Sequence, residues 1–127
     1  MTYSISKDFE FSASHQLFGL VEGHKCGRVH GHNYTVRITL EADRLDEHGF
    51  VLDYGDLAPF GRWLDEHFDH RHLNDVVDFQ PSAENLARWL WIVARREVTI
   101  PFGVRVAVSV SETRKTWATW QSAPAAS

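Results

Sequence analysis

Residues 3 to 15 alternate between two kinds of side chain. Ile5, Phe9, Phe11, Ala13 and His15 fall on one side, and Ser4, Ser6, Asp8, Glu10, Ser12 and Ser14 on the other. A period of two with one apolar face predicts a half-buried antiparallel strand. The same period returns from His30 to Leu40, where His30, His32, Tyr34, Val36, Ile38 and Leu40 oppose Asn33, Thr35, Arg37 and Thr39. A third strand is predicted from Val104, Val106, Val108 and Val110, with Glu112 at the next inward position, and a short fourth from Thr116 to Gln121. Between the second and third strands the period changes. Leu57, Phe60, Leu64 and Phe68 recur at helical spacing, with Asp56 as the expected cap and Pro59 in the first turn. Ser82 is expected to cap a second helix carrying Leu86, Trp89, Leu90 and Val93, which Ile100-Pro101-Phe102-Gly103 ends. Residues 69 to 75 read as a polar loop between the helices.

The order strand, strand, helix, helix, strand, strand implies an α+β domain: a four-stranded antiparallel sheet with two helices on one face. One domain over residues 1–121 is expected, with a disordered small and polar tail at 122–127. Such a sheet has open edges and some apolar residues on its uncovered face. Association is one way to close them, so an oligomer is expected.

Composition narrows the partners. A domain of 127 residues hides roughly two-thirds of its unfolded surface, so it needs no metal to fold. A metal here would be functional. The net charge of −4 and the lack of a basic cluster argue against nucleic acid. There is no apolar run long enough to span a bilayer, and Met1-Thr2-Tyr3-Ser4 does not open a signal peptide. The single cysteine, Cys26, fits a reducing cytoplasm and leaves a thiol to be explained.

The chemistry gathers in Glu22-Gly23-His24-Lys25-Cys26-Gly27-Arg28-Val29-His30-Gly31-His32-Asn33-Tyr34. His30 and His32 share a strand face. If the first two strands pair antiparallel, His15 at the end of one lies beside His30 at the start of the other. Three imidazoles without a fourth protein ligand are the arrangement of a catalytic zinc site. Cys26 could close that site as a fourth ligand, or serve as a nucleophile or base with a lowered pKa. Asp69-His70 offers a carboxylate beside an imidazole, suited to acid–base work, or merely the polar end of a helix. Glu112 extends an apolar face, where an unpaired carboxylate is costly. It calls for a donor pair such as the N–H groups of a 2-amino-4-oxo pyrimidine, for an arginine, or for exposure at the strand end.

These residues resemble the 6-pyruvoyl-tetrahydropterin synthase / 6-carboxytetrahydropterin synthase family of the tunnelling fold. The likeness runs through Phe9-x-Phe11-x-Ala13-x-His15, Cys26-x3-His30-Gly31-His32-Asn33-Tyr34, Asp53-Tyr54, Asp69-His70-x-His72-Leu73-Asn74, Pro81-Ser82-Ala83-Glu84-Asn85 and Glu112-Thr113. The short gap between Cys26 and His30 is similar to the 6-carboxytetrahydropterin branch of the 7-deazapurine (queuosine) pathway. Ser82 stands where threonine is common, and keeps the capping hydroxyl. The resemblance implies a lyase that turns 7,8-dihydroneopterin triphosphate into 6-carboxy-5,6,7,8-tetrahydropterin, acetaldehyde and triphosphate. The sister reaction, loss of triphosphate to give 6-pyruvoyl-tetrahydropterin, and zinc and pterin binding without turnover are the alternatives. It further implies zinc on His15, His30 and His32, proton transfer by Cys26, Asp69 and His70, a pterin anchor at Glu112, and a homohexamer with sites at subunit interfaces. Lys25, Arg28 and Arg114 are candidates for the triphosphate.

Overall fold

The two long alternating segments pair with each other. In the computed structural model, which describes residues 1–122, β1 (Tyr3–His15) lies antiparallel to β2 (His30–Ala42), in a register that sets His15 against His30 and Ala13 against His32. Both strands bury the face their alternation implies: Phe11, Ala13 and His15 on β1, and Tyr34, Val36, Ile38 and Leu40 on β2. A 3-10 turn at Lys25–Gly27 lies between them.

After β2 a 3-10 turn at Tyr54–Leu57 runs into α1 (Ala58–His67). The capping differs from the expectation. Asp53, not Asp56, closes the turn by accepting from the Gly55 amide at 2.8 Å, and α1 itself has no side-chain cap. The 3-10 turn already holds the amide groups that a cap would serve.

The loop expected at 69–75 is ordered backbone. It contains β3 (Arg71–His72) and the single-turn helix α2 (Leu73–Val76). β3 pairs parallel with Ala13 and Ser14, so the sheet has five strands in the order β3-β1-β2-β4-β5 rather than four. Two residues are too few to show a period, so no alternation marks this strand in the sequence. The pairing is set by side chain and backbone together. The Asp69 carboxylate accepts from the Ser12 amide at 2.9 Å, and the His70 amide donates to the Ser12 carbonyl at 2.6 Å.

α3 (Ala83–Glu97) begins at Ser82 as expected, with the Ser82 hydroxyl accepting from the Asn85 amide. Its Leu86, Ala87, Leu90, Val93 and Ala94 are buried against the sheet. β4 (Arg105–Ser111) adds Val106, Val108 and Val110 to the same core, and β5 (Ala118–Gln121) closes the far edge. No helix among the described residues is long and apolar enough to cross a membrane. Of the tail, Ser122 sits with its hydroxyl 3.5 Å from the Val106 carbonyl, and residues 123–127 lie outside the described residues.

Candidate metal centre and acid–base groups

The pairing of β1 with β2 brings His15, His30 and His32 together at one end of the sheet. One ligand nitrogen from each lies within 4.8 Å of the others. The ring orientations are fixed by backbone carbonyls. His15 Nδ1–H donates to the Pro81 carbonyl at 2.7 Å, and His30 Nδ1–H to the Arg28 carbonyl at 2.6 Å. This assigns the proton to Nδ1 in both rings and turns their Nε2 lone pairs toward each other, 3.0 Å apart. Two facing lone pairs repel unless a proton or cation lies between them.

Burial favours the cation. His15 is fully buried, and desolvation pulls its pKa below the ordinary histidine value; the same cause acts on His32. Neutral rings are the form a metal requires. His32 Nε2 is buried without a hydrogen-bond partner among the described residues. Such a nitrogen calls for a ligand. Three converging imidazoles, two with their second nitrogen held by a carbonyl, fit a divalent transition metal of the zinc, copper, iron or nickel type.

Glu112 follows β4 and closes one side of this centre. Its carboxylate lies 3.4 Å from His32 Nε2 and 4.0 Å from His15 Nε2. No arginine is paired with it among the described residues. Glu112 and His32 also line an open groove of about 700 Å³ together with Asp69 and Arg114.

Cys26 sits on the 3-10 turn just before His30. It is half-buried, and it does not join the three histidines in the metal-capable group. The turn is fastened to the end of β1: the Cys26 carbonyl accepts from the Leu17 amide at 3.1 Å, and the Gln16 side chain donates to the Gly27 carbonyl at 2.9 Å. Lys25 and Arg28 are exposed on the same turn.

Asp69 and His70 form a real pair. His70 Nδ1 lies 2.8 Å from Asp69 Oδ2, while Asp69 Oδ1 holds Ser12. The Ser12 amide, and then His70, keep the Asp69 carboxyl below the usual carboxylate range. His70 adopts φ 58°, a left-handed conformation uncommon outside glycine. Its side chain is 81% exposed, so within one chain it faces outward.

Sequence reasoning missed the residues that brace this centre. Asn74 exchanges two 2.8 Å hydrogen bonds with the backbone of Gln16, acting as a short substitute strand beside His15. Gln80 accepts from the Phe18 amide at 2.7 Å, and its carbonyl accepts from the Asn85 side chain. That holds Pro81 where its carbonyl meets His15. The motifs His72-Leu73-Asn74 and Pro81-Ser82-Ala83-Glu84-Asn85 were the visible signal, though spacing alone gives them no role.

A family model described as 6-pyruvoyl tetrahydropterin synthase matches residues 4–123. The chain belongs to that family. Among its relatives, 6-carboxy-5,6,7,8-tetrahydropterin synthase of Bacillus subtilis (strain 168) is 34% identical over 97 residues, 71% of this chain and 64% of that protein. The match thus spans a little under two-thirds of the Bacillus protein's length. The Synechocystis protein of the same name is 39% identical over 93 residues, 68% of this chain and 70% of its own. The solved 6-pyruvoyl tetrahydropterin synthase of Caenorhabditis elegans superposes with a TM-score of 0.81 at 24% identity, covering 97% of each chain. At that identity it speaks for the fold. The five-stranded sheet with its helices is therefore the fold of this synthase family.

Proposed function

We propose that the chain is a zinc-dependent lyase of the 6-carboxytetrahydropterin type, acting on 7,8-dihydroneopterin triphosphate in 7-deazapurine (queuosine) biosynthesis. The observation that carries the reading is the trio His15, His30 and His32, with Nδ1 of His15 and His30 fixed by carbonyls and no fourth protein ligand grouped with them among the described residues. The names of the relatives from Bacillus and Synechocystis support the choice of product.

His15, His30 and His32 would hold zinc, which when bound supplies Lewis acidity to the substrate's side-chain hydroxyls. Glu112, whose carboxylate faces the same space, accepts from the N–H pair of the pterin ring and fixes its orientation. Cys26 takes and returns a proton at Sγ. His70, with Nδ1 engaged by Asp69, exchanges a proton at Nε2. Because His70 faces outward, it serves best across an interface, in keeping with a cytoplasmic homohexamer whose sites are shared between subunits. The substrate's three-carbon side chain divides into a one-carbon carboxyl and two-carbon acetaldehyde. Counting oxygens, one water enters per turnover.

The test is the identity of the small products from the zinc-loaded protein and 7,8-dihydroneopterin triphosphate. Acetaldehyde with 6-carboxy-5,6,7,8-tetrahydropterin is the expected result. Triphosphate without acetaldehyde would assign the 6-pyruvoyl reaction instead, and binding without products a non-catalytic role.

A further inference from the structure

Tyr34 carries a polar atom that neither the fold nor the proposed chemistry uses. The residue is fully buried, and its hydroxyl has no hydrogen-bond partner among the described residues. The ring needs no hydroxyl to pack. It stacks on Phe11 at 4.7 Å with an interplanar angle of 9°, and meets the rings of His32 and His15 edge-on at 5.4 and 5.9 Å. Phenylalanine would serve that packing equally well and avoid burying an unpaired hydroxyl. The phenol is therefore placed for a partner that arrives later.

The sheet says which partner. β2 pairs with β4 in a register that sets Thr35 opposite Ser111; carried one residue further, it sets Tyr34 across from Glu112. Tyr34 and Glu112 line the same groove beside His32. The Glu112 carboxylate lies 3.4 Å from His32 Nε2 and 4.0 Å from His15 Nε2. Once His32 Nε2 is committed to a metal it has no proton to offer that carboxylate, and the phenol is the donor the sheet provides at that position.

We propose that Tyr34 is a positioning residue for the pterin ring: its buried hydroxyl donates to Glu112 and aims the carboxylate at the ring's N–H pair. The inference rests on the reading of Glu112 as the pterin anchor. It makes the hydroxyl a cost in the free protein and an asset in the loaded one.

The experiment compares wild type with Tyr34→Phe, using pterin itself as a fluorescent binding probe on the zinc-loaded proteins and thermal melting on the metal-free ones. The variant is expected to keep its zinc, melt at the same or a higher temperature, and bind pterin about tenfold more weakly, the loss of one hydrogen bond to a charged group. With substrate, KM should rise by a similar factor while kcat holds, since a ring anchor acts alike in ground and transition states. Unchanged pterin affinity would overturn the inference. So would a variant that loses stability together with affinity, because the hydroxyl would then be supporting the core. Failure of wild type itself to bind pterin would instead remove the reading of Glu112, and the inference with it.

Discussion

His15 and His30 are held by a carbonyl at Nδ1 and offer Nε2 to a shared space, so their part in the site is fixed before any metal arrives. Replacing His30 with alanine removes a ligand from a half-buried strand end, not from the core. We predict that His30→Ala loses stoichiometric metal and turnover while its far-ultraviolet dichroism is unchanged. Metal retained at wild-type stoichiometry would remove His30 from the ligand set. Cys26 stands outside the trio. Cys26→Ala should therefore keep its zinc and lose roughly 10²–10⁴-fold in kcat, the scale of one proton-transfer group; depleted zinc would make the thiol a ligand. At this scale the sequence was informative. The period of two placed His30 and His32 on one face, and the inward position of Glu112 marked it as a carboxylate in need of a donor. It could not reveal the carbonyls of Pro81 and Arg28, because any residue type carries a carbonyl.

β1, β2, β4 and α3 were legible because each runs long enough to repeat its period. β3 and α2 were not, since their placement comes from Asp69 and Asn74 reaching across the chain to the backbone of Ser12 and Gln16. Asn74→Ala leaves the amide and carbonyl of Gln16 without those partners, and we predict a loss of about 1–3 kcal/mol by denaturant unfolding. Equality with wild type would mean that water serves as well. The Asp69 clip adds a pH dependence. Its carboxyl titrates below the ordinary value of 3.8, chiefly through the Ser12 amide, so the stability it gives is present above that value and lost as pH falls through the lower folded-state pKa. The melting difference between wild type and Asp69→Asn should accordingly be largest near neutrality and close on acidification below pH 3.8; a difference that widens there would reverse the assignment. Packing between elements leaves its own mark at Gly61 on α1, where an added Cβ would lie 2.8 Å from the Phe9 ring of β1. Gly61→Ala should destabilise by about 1–3 kcal/mol despite the better helix propensity of alanine.

Taken as one molecule, the chain leaves much of its sheet edge open. β3 covers only Ala13 and Ser14, so the outer edge of β1 from Tyr3 to Ser12 has no strand partner within the described residues. Trp117 and Trp120 are partly exposed near the opposite edge, under Arg37 and Arg88. An edge of that length is seldom left to solvent, and the outward-facing His70 points the same way. The proposed hexamer accounts for both. All of this chemistry returns to the histidine centre, and X-ray absorption at the zinc edge of the loaded protein tests it most directly. The expected spectrum has three imidazole nitrogens at about 2.0–2.1 Å, completed by oxygen from solvent, with no sulfur. A sulfur shell near 2.3 Å, or fewer than three imidazoles, would contradict an open three-histidine centre.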